Sequence, residues 1–225
     1  MIRRSPRRPA SRSAGVLLAA LALAAAPRLA AAQEWRFHAG VGVAYNLPAA
    51  IAIAQDGEPE LSLTARWATR PFRTPLYYVG RLERVDGARG LGLELIHHKL
   101  FLENAPVDVQ HFEISHGFNV VTLQRAWLRA DGVSWRAGAG VVVTHPETIV
   151  RERRQPRGGW GSRGYYVSGP AAQLAAGWSR RLVGRARWGV EGKLIGAHAS
   201  VPIAGGSAHL WHASAHLDAL VSVGR

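Results

Sequence analysis

Five side chains suited to acid–base and nucleophilic chemistry occur in two consecutive stretches near the middle of the chain. They are Glu94, His98, His111, Glu113 and Ser115. A serine becomes a nucleophile when a histidine accepts its proton and a carboxylate orients that histidine. Ser115 would be the nucleophile, with His111 or His98 as its base. Glu113 or Glu94 would orient the base, so the set is a candidate hydrolytic site.

Both stretches alternate apolar and polar residues, which predicts two β-strands that each have one apolar and one polar face. In the first strand Leu91, Leu93 and Leu95 share the apolar face. In the second, Phe112 and Ile114 share it. We expect these apolar faces to point outwards, so that pairing of the strands brings the five candidate residues together on the inner, polar face.

A structural role for the same residues is the competing interpretation. Small barrels fill their interiors with paired polar side chains. Glu94 and Glu113 would then pair with Arg66, Arg81 or Lys193 and contribute to stability. We favour this interpretation over catalysis.

The first 32 residues are predicted to be a cleaved signal peptide. Five arginines precede an apolar run of 13 residues from Ala14 to Ala26, and the small residues Ala30-Ala31-Ala32 precede Gln33. The run is too short to span a bilayer, which takes about 20 residues. Residues 33–225 would form the mature domain.

Charge and composition argue against a nucleic-acid-binding protein and exclude a domain stabilised by disulfides. The formal charge is +13, but six arginines lie in the first 32 residues, so residues 33–225 carry +7. The remaining basic residues are spread along the chain, which argues against nucleic-acid binding. The chain has no cysteine, so an exported domain must be stabilised by a large core or a closed sheet instead of disulfides.

Alternation of this kind recurs along the whole mature region and predicts eight or nine strands. Their lengths of about 9–14 residues suit membrane-spanning strands, which need about 9–11 residues, better than soluble ones, which have about 5–6. Glu60–Trp67 is predicted as one of them. An even number is expected of a membrane barrel, and we look for the surplus strand within Asn104–Leu128.

With this leader and this pattern, residues 33–225 resemble the small outer-membrane β-barrel proteins of Gram-negative bacteria, of the OmpX and OmpA type. The resemblance implies an all-β fold: a single antiparallel up-and-down transmembrane barrel of about eight strands. It also implies a monomer in the outer membrane, with lipid and the barrel-insertion machinery as partners. The chain ends in Val223-Gly224-Arg225, without the terminal aromatic residue typical of these proteins.

Two other functions stay open. The run from Ser115 to Asn119 loosely resembles the His-x-Ser-Asn run of lipid A deacylases, which implies a lipid A hydrolase. A soluble periplasmic barrel that binds lipid is the second alternative, and it would have an apolar interior. The leading prediction is a non-enzymatic barrel with a polar, filled interior.

A long basic loop follows the predicted strand that ends near Thr144. We expect its arginines to contact lipopolysaccharide phosphates, because guanidinium groups bind phosphate through two hydrogen bonds. They are Arg151, Arg153, Arg154 and Arg157. No cofactor and no metal site are expected, since adjacent histidines on a strand point to opposite faces.

Overall fold

The computed structural model describes residues 33–225, and the predicted signal peptide lies outside them. Within residues 33–225 every regular element is a strand, in the following order. The strands are β1 (Glu34–Asn46), β2 (Ala49–Gln55), β3 (Leu61–Ala65), β4 (Trp67–Ala68), β5 (Tyr78–Asp86), β6 (Arg89–Leu102), β7 (Val109–Leu128), β8 (Val133–Thr144), β9 (Glu147–Val150), β10 (Arg153–Arg154), β11 (Tyr166–Val183), β12 (Ala186–Ile203) and β13 (Gly206–Gly224). None of the residues from 33 onwards forms a helix long and apolar enough to cross a membrane.

Eight of these strands close into an antiparallel ring. Around the ring each long strand pairs with its neighbours in the order β1, β5, β6, β7, β8, β11, β12 and β13, and β13 pairs back with β1. Neighbours in the ring are also neighbours in the chain once the short strands are set aside. The prediction of an all-β, antiparallel, up-and-down barrel of about eight strands is confirmed.

The two ends of the barrel differ. At one end the connections are short: residues 87–88, 129–132 and 184–185. In the second of these turns, the Arg129 guanidinium and the N–H of Val133 donate to Asp131, and both lower the pKa of its carboxyl. At the other end, residues 47–77 and 145–165 form long connections that carry the five short strands. We call these the short-turn end and the long-loop end.

Side chains alternate between the outside and the inside of the ring, as the pleat of a strand requires. On β6, Leu91 and Leu93 are 50% and 56% exposed, while the intervening Gly92 and the following Glu94 are buried. The outer face of the ring is apolar on every side. Its exposed large residues include Phe37, Val41, Leu82, Leu93, Leu123, Val141, Leu174, Val190, Leu194, Leu217 and Val221.

The interior changes from polar to apolar along the axis of the barrel. Towards the short-turn end its buried side chains are charged or hydrogen-bonding. Towards the long-loop end the short strands extend the wall, where β2 pairs with β13, β4 with β6 and β9 with β7. They enclose an apolar core that we call the dome. Its residues include Ile51, Ile53, Leu100, Phe112, Ile114, Val150, Val201 and Leu210.

Two expectations about strands are wrong. Glu60–Trp67 is not a strand of the ring: Leu61–Ala65 pairs with β2 in a small hairpin of the dome, so the surplus strand lay here and not in Asn104–Leu128. Phe112 and Ile114 point into the dome instead of outwards, with 4% and 0% exposure. The two residues do share one face, but that face covers the dome instead of lipid.

Candidate functional site

Glu94 lies inside the barrel at the centre of a set of ion pairs. Arg81 is its direct neighbour across the β5–β6 ladder, and Arg81 Nε donates to Glu94 Oε2 at 2.7 Å. Arg81 also donates to Glu191. Lys193 Nζ lies 3.2 Å from Glu94 Oε1 and 3.3 Å from Glu191 Oε1. Arg81 and Lys193 are two of the partners named for Glu94 from the sequence.

More charged groups extend this set across the barrel. Arg136 donates to Glu191 Oε2 at 2.7 Å and lies 3.2 Å from Glu83 Oε1. Lys193 Nζ is also 2.7 Å from Asp218 Oδ2. Three cations therefore face four carboxylates, all of them buried. We call these seven residues the charged layer: Arg81, Glu83, Glu94, Arg136, Glu191, Lys193 and Asp218.

His98 lies above the charged layer in a group of histidine, tyrosine and asparagine side chains. Its Nε2 is 2.9 Å from Asn46 Oδ1, and its ring lies 5.0 Å from that of His216. Tyr77 donates its hydroxyl proton to Asp218 at 2.9 Å and lies 2.8 Å from His216 Nδ1. This group separates the charged layer from the dome. Glu94 and His98 are thus inside the barrel, in different layers.

The other three candidate residues lie elsewhere. His111 and Glu113 are on the outer side of β7, with His111 Nε2 3.7 Å from Glu113 Oε1. Ser115 is next to a bulge, where Gly117 adopts a left-handed φ of +130°. The bulge turns His116 outwards beside Ser115, although strict alternation places these neighbours on opposite faces. The five residues are therefore not brought together.

Ser115 and His116 do not have the geometry of a nucleophile and its base. Ser115 Oγ is 3.4 Å from His116 Nδ1, and Glu147 Oε1 is 2.7 Å from the same nitrogen. A catalytic histidine holds the carboxylate on one ring nitrogen and the nucleophile on the other. Here both partners reach one nitrogen, so proton transfer from Ser115 has no free acceptor at this contact.

The four loop arginines fall into two pairs. Arg151 and Arg153 bind acidic residues of neighbouring loops: Arg153 donates to Glu58 at 3.1 Å, and Arg151 Nε is 3.5 Å from Asp108. Arg154 and Arg157 instead line a cavity of about 320 Å³. Among residues 33–225 no ion pair involves either of them. The first pair holds loops together and the second is available to a ligand.

Sequence reasoning missed two residues at the outer rim of the long-loop end. His145 and Glu147 flank Pro146 in the connection after β8, and both approach His116. Their nearness depends on the β7–β9 pairing and on the bulge at Gly117. The only signal in the sequence was the glycine after His116, because a glycine inside a strand often marks a bulge.

Comparisons with known proteins do not establish a function. No protein-family model matches the chain, and no curated protein matches its sequence. Among solved structures it is similar to Neisserial surface protein A, with 8% identity, a TM-score of 0.40, and coverage of 87% of this chain and 99% of that chain. It is also similar to OmpT, an outer membrane protein of Vibrio cholerae, with 13% identity, a TM-score of 0.28, and coverage of 85% of this chain and 52% of that chain. We therefore argue function from the residues of this chain.

Proposed function

We propose that this chain is an integral outer-membrane barrel protein with a sealed interior and no enzymatic role, whose long-loop end faces outside the cell. The apolar outer wall supports this location. In lipid, only a closed sheet satisfies every backbone hydrogen bond, and the eight-stranded ring leaves no open edge. Short periplasmic turns and long external loops are typical of such barrels, which sets the orientation.

Two rings of outward-facing aromatic residues support the same location. Near the short-turn end they are Trp35, Trp127, Trp135, Trp178 and Trp188; near the long-loop end they are Tyr45, Tyr78 and Trp211. On β1, Trp35 and Tyr45 are ten residues apart. Ten residues span about 34 Å of strand, or about 25 Å along the axis of a barrel whose strands are tilted by about 40°. That is the height of the apolar band of outer-membrane barrels.

A second strand gives the same height. Trp188 lies opposite Val221 in the β12–β13 ladder, and Trp211 lies ten residues before Val221 on β13. Beyond Trp211 the outward residues of β13 turn polar, with His209 and then Ser207. The apolar band thus ends at the aromatic ring, and the dome lies outside it.

The buried charged layer and the dome are the observation that carries the proposal of a barrel without a channel. The charged layer crosses the ring, and the dome closes the long-loop end above it. At the short-turn end, a cavity of about 30 Å³ beside Arg81 and Glu191 has room for about two water molecules. Ion pairs that cross the ring would interrupt a continuous column of water.

Arg154 and Arg157 give the external face its chemistry. They line the same cavity at the long-loop end and have no carboxylate partner among the described residues. Guanidinium groups bind phosphate through paired hydrogen bonds, so these two arginines suit the phosphates of lipopolysaccharide. Arg151 and Arg153 support the loops and are not assigned to the ligand.

Two measurements test the sealed barrel. After cell fractionation we expect the protein in outer membranes, resistant to alkaline extraction. In planar lipid bilayers the purified protein should give no ion conductance above that of protein-free membranes. Steady single-channel currents would contradict the sealed interior. Recovery in the soluble periplasmic fraction would contradict the location and favour a lipid-carrying barrel.

A matched pair of variants tests the arginines. Replacement of Arg154 and Arg157 together by glutamine should weaken binding to lipopolysaccharide in low-salt buffer. Replacement of Arg180 and Arg181 by glutamine should leave binding unchanged, because these two residues lie towards the short-turn end of β11. Equal losses in the two variants would show that binding follows total charge and not this cavity.

A further inference from the structure

Three side chains that can bind a transition metal meet at the outer rim of the long-loop end. His116, His145 and Glu147 each offer one donor atom, and these atoms all lie within 4.8 Å of one another. We call them the rim cluster. His111 and Glu113 form a second group that shares Glu147. None of these residues belongs to the charged layer or to the apolar band.

The backbone holds the two imidazoles of the rim cluster side by side. The bulge at Gly117 turns His116 outwards, and the carbonyl of Gly117 accepts the N–H of His145 at 3.0 Å. The two rings lie 5.0 Å apart, and the ring of Tyr165 packs edge-on against His145 at 4.8 Å. At Gly164 a Cβ atom would come within 2.6 Å of His145 Nε2, so only glycine leaves room for this ring.

The carboxylates at this rim lack a full counter-charge. Glu147 lies directly opposite Glu113 in the β7–β9 ladder, and like charges in that position are destabilising. Within residues 33–225 the ion pairs of both are to histidines: His116 with Glu147 at 2.7 Å and His111 with Glu113 at 3.7 Å. A bound cation would neutralise this repulsion.

A second observation indicates a ligand. His145 Nδ1 is buried and has no hydrogen-bond partner. A buried polar atom without a partner is costly, and a metal bound at this nitrogen would satisfy it, because a neutral imidazole nitrogen is a metal ligand. The tetrahedral donors of zinc lie about 3.3 Å apart for bond lengths of about 2.0–2.1 Å, so small side-chain shifts close the site.

We propose that the rim cluster binds one divalent transition metal of the zinc class through His116, His145 and Glu147. Two imidazoles and one carboxylate suit zinc, and leave a fourth position for water or another ligand. Calcium and magnesium prefer oxygen ligands and are excluded by the histidines. Arg154 and Arg157 line the cavity next to His145 and Glu147, so an anionic fourth ligand would lie near two positive charges.

Calorimetric titration of the detergent-purified full chain with Zn²⁺, Mg²⁺ and Ca²⁺ tests the proposal. We expect one Zn²⁺ per chain and no binding of the other two ions. His145→Asn should weaken Zn²⁺ binding by at least about tenfold. His209→Asn is the matched control, because His209 is exposed and contacts Ser207 instead of the rim cluster. It should leave the affinity unchanged.

Two further results decide the identity of the ligands. X-ray absorption of the Zn²⁺-loaded native chain should show two imidazoles on the metal, and this measurement does not require a variant to fold. His111→Asn should change the Zn²⁺ affinity by less than about twofold. Absence of Zn²⁺ binding, a single imidazole, or a loss of binding in His111→Asn but not in His145→Asn would each overturn the proposal.

Discussion

Removal of Arg81 should be among the most destabilising single changes in this barrel. The residue is 1% exposed, and its guanidinium contacts two carboxylates, Glu94 and Glu191. In Arg81→Met the charged layer would hold two cations against four carboxylates. Breaking a buried ion pair from one side costs about 3–5 kcal/mol, because the other charge remains buried. We expect a loss in this range.

The remaining contacts limit the loss. Glu94 keeps Lys193, and Glu191 keeps Lys193 and Arg136. The carboxylates therefore stay partly paired, and the lower half of the range is the better expectation. Adding Glu94→Gln to Arg81→Met removes one of the negative charges in excess of the cations, so the double variant should be more stable than Arg81→Met alone.

Urea unfolding in detergent micelles, followed by tryptophan fluorescence, measures these differences. Arg84→Met is the control, because Arg84 lies three residues further along β5 on the exposed outer face. It should change the free energy of unfolding by about 0.5 kcal/mol or less. A loss below about 1 kcal/mol for Arg81→Met, or a double variant less stable than the single one, would refute the reasoning about the charged layer.

Three other predictions use the same barrel. Leu93→Arg should lower the free energy of unfolding by about 2–4 kcal/mol if this position lies near the bilayer midplane. Val107→Arg, in an exposed loop, should cost almost nothing in the same unfolding assay. Equal costs would contradict the assignment of Leu93 to a lipid-facing surface. Gly117→Ala should lower the free energy of unfolding by about 1–3 kcal/mol, because a Cβ there meets a neighbouring asparagine at 2.1 Å and φ is +130°. Gly80→Ala is the control: a Cβ at Gly80 has open space around it, so this change should be neutral. Ser115→Ala should leave lipid A acylation unchanged by mass spectrometry; loss of a deacylated species would revive the hydrolase.

The barrel wall was predictable because its pattern is local. Leu91, Leu93 and Leu95 alternate with polar or small residues, and that period decides which side of the wall each takes. Alternation does not show whether an apolar face packs against lipid or against other parts of the protein. Phe112 and Ile114 therefore appeared lipid-facing, although they pack in the dome.

The rim cluster could not be predicted from alternation, because a bulge and a loop create it. Gly117 shifts the register of β7, so His116 points to the side where a regular strand would not place it. Glu147 then reaches His116 across 31 positions of sequence. The charged layer was more accessible, since Arg81 and Glu94 lie opposite each other in a simple hairpin.

Unfolding changes the surroundings of the apolar residues differently in the dome and in the wall below it. When the dome opens, Ile51, Ile53 and Leu210 become hydrated, which raises the heat capacity. In the proposed membrane barrel, outward residues such as Leu93 face lipid or detergent in either case and contribute little. Most of the heat-capacity change of unfolding therefore comes from the dome. Because hydrophobic stabilisation weakens on cooling, the dome should unfold first in the cold, while the hydrogen-bonded wall stays folded.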